Sequence, residues 1–162
     1  AGLAELAGKA VKVATEGGLL SVSEPLPMVV RQRLMCVRGL EGAAAIPVLE
    51  RIGRPNVLIN YDTANVEFYA GVKAVDDLPF ALPKLVHCHL KDMRGQGRVW
   101  DFPAIGEGHV DFKRVLDIMA KGGFAGPMSV EIEFTGEPWP ALAEVNRAMK
   151  ASYDKLASLG LT

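Results

Sequence analysis

Strand-like and helix-like segments alternate along this chain, with a glycine or proline break at most changes, and that order restricts the sheet it can build. Leu3, Leu6, Ala10, Val11 and Ala14 recur at helical spacing over 3–15, and Gly17-Gly18 ends the pattern. Residues 19–25 read as a strand, 41–52 as a helix broken by Gly53-Arg54-Pro55, and 56–62 as a second strand. After a loop around 69–71 come a short helix at 75–82 and a third strand at 84–92. A glycine-rich loop leads to a helix at 111–121, a fourth strand at 126–134 and a closing helix at 138–159. On that closing helix Leu142, Val145, Met149, Tyr153 and Leu156 share one stripe, and Met119 and Met149 read as core. Strands separated by helices cannot be hairpin partners, so the expected fold is α/β, a parallel sheet with right-handed crossovers.

In such sheets the ligand sits at the carboxyl ends of the strands. The polar residues there are Glu24, Asp62, His89 and Glu131, one from each strand. Three carboxylates converging without a cation would repel one another, and a divalent ion resolves the conflict. An oxygen-rich set with one imidazole suits Mn²⁺, Mg²⁺ or Co²⁺, and also accepts zinc. The competing reading is that each residue caps its strand or pairs with a nearby Lys or Arg. Strand alternation puts His87 on the face of His89 but one layer deeper, and turns Cys88 toward the helices. Glu131 and Glu133 share a face, so either satisfies the pattern.

Composition narrows the partners. Eighteen Lys and Arg against nineteen Asp and Glu leave a net charge of −1, which argues against a broad basic face for nucleic acid. No apolar run reaches the roughly 20 residues of a membrane span. Two cysteines are too few for a disulfide scaffold and point to a reducing, cytoplasmic setting.

Several motifs in order resemble the sugar isomerase/epimerase superfamily with the xylose isomerase-like TIM barrel. VHCHLKD at 86–92 is similar to its strand-seven signature, INYDTAN at 59–65 to its strand six, and IGEGHVDF at 105–112 to its glycine-containing loop. FAGPMSVEIE at 124–133 resembles its last strand, and SVSEP at 21–25 its strand five. The resemblance implies Glu24, Asp62, His89 and Glu131 as metal ligands, with Glu24 and Glu131 moving a proton beside a ketose or polyol carbonyl. It implies isomerisation or epimerisation of a small sugar, with dehydration of a keto-inositol as the alternative on the same site. Arg94, five residues after His89, is placed like an arginine that holds substrate oxygens. Glu107, in the loop with His109, offers a further substrate contact.

The chain departs from that pattern in three places. A (βα)₈ barrel takes about 250 residues, whereas the 162 here match only strands five to eight, a single partial domain over 1–162 that is the C-terminal half. Asn65 stands where many relatives carry histidine; it can hydrogen-bond a substrate hydroxyl but cannot act as an imidazole acid or base. Residues 27–40 are apolar and arginine-rich instead of forming a polar loop. Open sheet edges are association-prone, so two copies pairing to close a barrel is one expected assembly. A half-barrel that binds a ligand or partner without turnover is the non-enzyme alternative. A DNA-repair endonuclease of the same fold needs a histidine-rich trinuclear site, for which three histidines are too few. Trp100 and Phe102 read either as cover for a sugar or as a buried loop anchor; Lys91-Asp92 read either as the pair that follows the metal histidine in many relatives or as a solvated pair.

Overall fold

The computed structural model describes residues 11–15, 18–22, 42–134 and 138–161. Its elements are β1 (Val11–Thr15), β2 (Gly18–Val22), α1 (Gly42–Ile52), β3 (Ile59–Asp62), α2 (Asn65–Ala70), α3 (Ala74–Ala81), β4 (Leu85–Leu90), α4 (Phe112–Lys121), β5 (Met128–Val130) and α5 (Leu142–Ser158). Among the described residues the strands form two sheets, a β1–β2 pair and a three-stranded sheet in the order β3-β4-β5.

The parallel expectation holds for β3, β4 and β5. Asp62 lies opposite His89 in the first pair, and His89 opposite Ser129 in the second. The sheet separates its faces by alternation. Ile59, Tyr61, Cys88 and Leu90 face the helices and join Leu49, Leu78, Val115, Met119 and Leu156 in one core. Asn60, Asp62, His87 and His89 occupy the other face. Cys88 is fully buried in that core, as its position in the alternation requires.

The N-terminal expectation changes. The stretch read as the end of a helix is β1, paired antiparallel with β2 from Val11↔Val22 to Thr15↔Gly18. Val11, Val13 and Thr15 put β-branched side chains at alternate positions, which favours extended chain over the helical stripe. The strand expected at 19–25 is therefore a hairpin strand at its start, and Glu24 lies outside the described residues, as does the apolar stretch at 27–40.

Two helices also differ from expectation. The loop after β3 begins as α2, which ends at Gly71 in a left-handed conformation with its N–H donated to Glu67 O. On α5 the buried residues are Ala148, Ser152 and Leu156, whereas Leu142, Met149 and Tyr153 are mostly exposed. Met149 is thus not core. It lines, with Val145, Tyr153, Met128, Val130 and Ile132, an open apolar groove of about 540 Å³ between α5 and β5. The stripe divides because β5 pairs only with β4 among the described residues, so nothing described lies beyond that edge to cover it.

Candidate metal centre

The inner face of the sheet carries three polar layers, each made by residues two apart on neighbouring strands. In the deepest, His87 Nδ1 meets Asn60 Oδ1 at 2.6 Å and His87 Nε2 meets Ser129 Oγ at 2.8 Å. This is the hydrogen-bonded role that its depth implies. Burial, and then the charge of His89, lower the His87 pKa.

The middle layer brings together Asp62, His89 and Glu131, whose ligating atoms all lie within 4.8 Å of one another. His89 Nδ1 is 2.5 Å from Glu131 Oε2 and 3.8 Å from Asp62 Oδ2. Asp62 is buried and rigidly held: Oδ1 accepts from the backbone N–H groups of Ala64 at 3.0 Å and Asn65 at 2.8 Å, and Oδ2 from Asn65 Nδ2 at 2.8 Å. Glu131 is fixed by its own backbone N–H, donated to Leu90 O at 3.0 Å as β5 ends. The carboxylates of Asp62 and Glu131 beside the ring raise the His89 pKa to about 9, against the effect of burial. The bond from His89 draws Glu131 down to about 2; burial opposes this and Lys91 adds to it. One imidazole nitrogen and two carboxylate oxygens on adjacent strand ends form a donor set that fits a divalent ion, with coordination positions left for other ligands.

The outermost layer is built on Lys91, the continuation of the His87, His89 face. Far from being solvated, its side chain is only 1% exposed. The ammonium donates to Glu131 Oε1 at 3.0 Å, to Glu133, and to Asn65 Oδ1 at 3.4 Å, and lies 4.2 Å from the centre of the Phe102 ring. Burial alone would lower the Lys91 pKa, but the charge of Asp62 and the bonds to Glu133 and Glu131 outweigh it and raise it. Glu133 is therefore the partner of Lys91, while Glu131 is the glutamate beside His89.

Asp92 is fully buried too, and its work is structural. Oδ1 accepts from Met93 N at 2.8 Å and Val110 N at 3.1 Å, and Oδ2 from Gly106 N at 2.7 Å and Gly108 N at 2.9 Å. One carboxylate thereby fastens the loop 105–110 to the end of β4. A Cβ on Gly108 would meet Asp92 Oδ1 at 2.3 Å and Met93 O at 2.4 Å, which explains glycine there.

The remaining expected residues lie further out. Asn65 joins the centre through Asp62 and Lys91. Arg94 and Glu107 pair instead with each other at 3.6 Å, and Glu107 also binds Arg147 on α5 at 2.6 Å. Phe102 is buried against Phe68, a loop anchor, with Trp100 half exposed beside both.

Residues 3–153 match the xylose isomerase-like TIM barrel family, and the chain belongs to it. A xylose isomerase domain protein from Planctomyces limnophilus superimposes with a TM-score of 0.64 at 23% identity, covering 75% of this chain and 44% of its own. An L-ribulose 3-epimerase does so at 0.59 and 19%, covering 78% and 43%. The IOLI protein, solved with a zinc atom, gives 0.54 and 22%, covering 72% and 42%. The chain thus spans less than half the length of these structures. No curated protein matches the sequence. No described helix is long and apolar enough to cross a membrane.

Proposed function

We propose that this chain is the metal-holding half of a sugar isomerase or epimerase that moves a proton beside the carbonyl of a ketose or related polyol. The observation that carries this reading is the convergence of Asp62, His89 and Glu131 at the ends of three adjacent parallel strands. These three residues, with Glu24 as the fourth ligand, would hold a divalent ion that, when bound, supplies positive charge to polarise a carbonyl. Mn²⁺, Mg²⁺ and Co²⁺ suit the oxygen-rich set, and the zinc in the IOLI protein supports zinc as a further occupant.

Within this reading the proton is handled by carboxylates. Glu131 Oε2 faces the centre and is the proposed acceptor of the proton from a substrate carbon; an ion that displaces the His89 proton removes the bond that draws the Glu131 pKa down and so restores its basicity. Glu24 is the proposed second acid, returning a proton from the other side. Asn65, with Nδ2 on Asp62, Arg94, half exposed on the rim, and Glu107 are the proposed contacts for substrate hydroxyls. The L-ribulose 3-epimerase neighbour favours a small ketose as substrate.

In this proposal the chain is one partial domain, barrel strands five to eight, whose wall is completed at the edge of β5 that is open among the described residues. The apolar groove there and the exposed Leu142, Met149 and Tyr153 favour a covering partner, and a second copy is the proposed one. A cytoplasmic setting accords with Cys88 being buried as a free thiol.

The experiment is incubation of the Mn²⁺-loaded protein with a panel of ketoses in D₂O, followed by NMR. Epimer or isomer carrying deuterium next to the carbonyl supports the proposal. A dehydrated product would make the chain a lyase on the same residues. Metal retention with no turnover of any sugar would leave a ligand-binding half-barrel.

A further inference from the structure

Two glutamates on one face of the same strand end compete for one place, and something must choose between them. Glu131 and Glu133 both touch the Lys91 ammonium, Glu131 through Oε1 and Glu133 through Oε2. The free oxygen of Glu131, Oε2, is the one against His89. Glu133 is held away, its backbone bridged to Phe102, whose ring also lies against the ammonium. Lys91 closes a ring of contacts: Asp62 to Asn65, Asn65 to Lys91, Lys91 to Glu131, Glu131 to His89 and back to Asp62.

The charges agree with this geometry. Among the described residues, three carboxylates (Asp62, Glu131 and Glu133) face one fixed ammonium, leaving, once an ion has displaced the His89 proton, a residual double negative charge that a divalent cation matches. An unpaired ammonium at 1% exposure would be costly. Here all three of its protons have acceptors, so its position is strongly determined.

We propose that Lys91 is the positioning residue of the centre: it fixes Glu131 with one oxygen toward Asp62 and His89, and holds Glu133 out of that place. The proposal deepens the metal-site reading and rests on it for its consequence, but the geometric claim is testable without metal. Outer partners that orient a ligand typically change metal affinity by about 10- to 100-fold when lost.

The test is a cycle of Glu131→Gln and Glu133→Gln, each in the native and in the Lys91→Met background. Methionine is unbranched, of similar length and uncharged, and Lys91→Gln serves as the second variant should the first not fold. In metal-free protein, histidine-ring NMR reads the His89 Nδ1–H donated to a carboxylate. With Lys91 present, Glu131→Gln should abolish that signal and Glu133→Gln should leave it. With Lys91 replaced, the signal should survive Glu131→Gln, because Glu133 takes its place. Mn²⁺ titration of the same proteins should follow. The affinity losses from the two Gln substitutions should differ by about 10- to 100-fold in the native background. They should converge to within about twofold without Lys91, the usual additivity error. A signal lost on Glu131→Gln in both backgrounds overturns the role of Lys91, whether or not Mn²⁺ binds. The expected NMR pattern with no Mn²⁺ binding in any variant upholds Lys91 and removes the metal reading instead.

Discussion

Asp92→Asn is the most informative single perturbation of the fold around the centre. The wild-type carboxylate accepts four backbone N–H groups, two on each oxygen, at 2.7 to 3.1 Å and at zero exposure. Asparagine is nearly isosteric but keeps a single acceptor oxygen, so its amide must face two of those donors. A buried donor left without a partner costs about 1–3 kcal/mol. The expected loss is therefore about 2–5 kcal/mol, a large share of the roughly 5–15 kcal/mol that holds a domain together. At about 2–4 °C per kcal/mol for a chain of this size, Tm falls by about 4–20 °C. Urea unfolding followed by circular dichroism gives the global figure. Hydrogen exchange at Gly106, Gly108 and Val110 reports the loop itself, where protection should be lost before the core. A loss below about 1 kcal/mol, with all three of those amides still protected, would refute the reasoning that one carboxylate fastens the loop.

Three further outcomes are expected. Gly108→Ala forces a Cβ to within 2.3 Å of Asp92 Oδ1 and should destabilise by about 1–3 kcal/mol, read by the same urea titration. In metal-free protein the raised His89 pKa contributes stability fully present below about 6.5, the unfolded value, and lost as pH rises through about 9. The lowered Glu131 pKa contributes stability present above about 4.5 and lost as pH falls through about 2. The pair thus stabilises most between those unfolded values; because an ion must displace the His89 proton, Mn²⁺ affinity should rise with pH up to about 9, as titration calorimetry at several pH values would reveal. Met149→Lys, at an exposed position, should change unfolding free energy by less than about 0.5 kcal/mol, yet lower the molar mass in light scattering if the α5 groove is where two copies meet.

Much of the centre was legible in residue types and alternation. Asp62 and His89 end adjacent parallel strands, so a period of two and a strand end suffice to aim them together. His87 and Cys88 followed from the same alternation. Lys91 and Asp92 did not, because their partners come from far along the chain: Glu133 is 42 residues from Lys91, and Gly106 is 14 from Asp92. A charged pair in sequence carries no sign of such partners, and reads as solvated unless the loop's glycines are seen as leaving room for a carboxylate. The hairpin is hidden in the sequence because Ala and Val at 10–14 satisfy a helical stripe as well as an extended strand. The α5 stripe was misread for a different reason. Periodicity locates an apolar face but not its cover, and only Ala148, Ser152 and Leu156 have the core against them.

The central claim is that Asp62, His89 and Glu131 form a working metal centre. Its most direct test is the metal content of the purified protein after Mn²⁺ loading and gentle desalting, beside Asp62→Ala and His89→Ala. Near-stoichiometric metal in the native chain, and its loss from both variants with folding intact, is the expected result. Equal metal in all three, or none in the native chain at any Mn²⁺ concentration, would contradict the account.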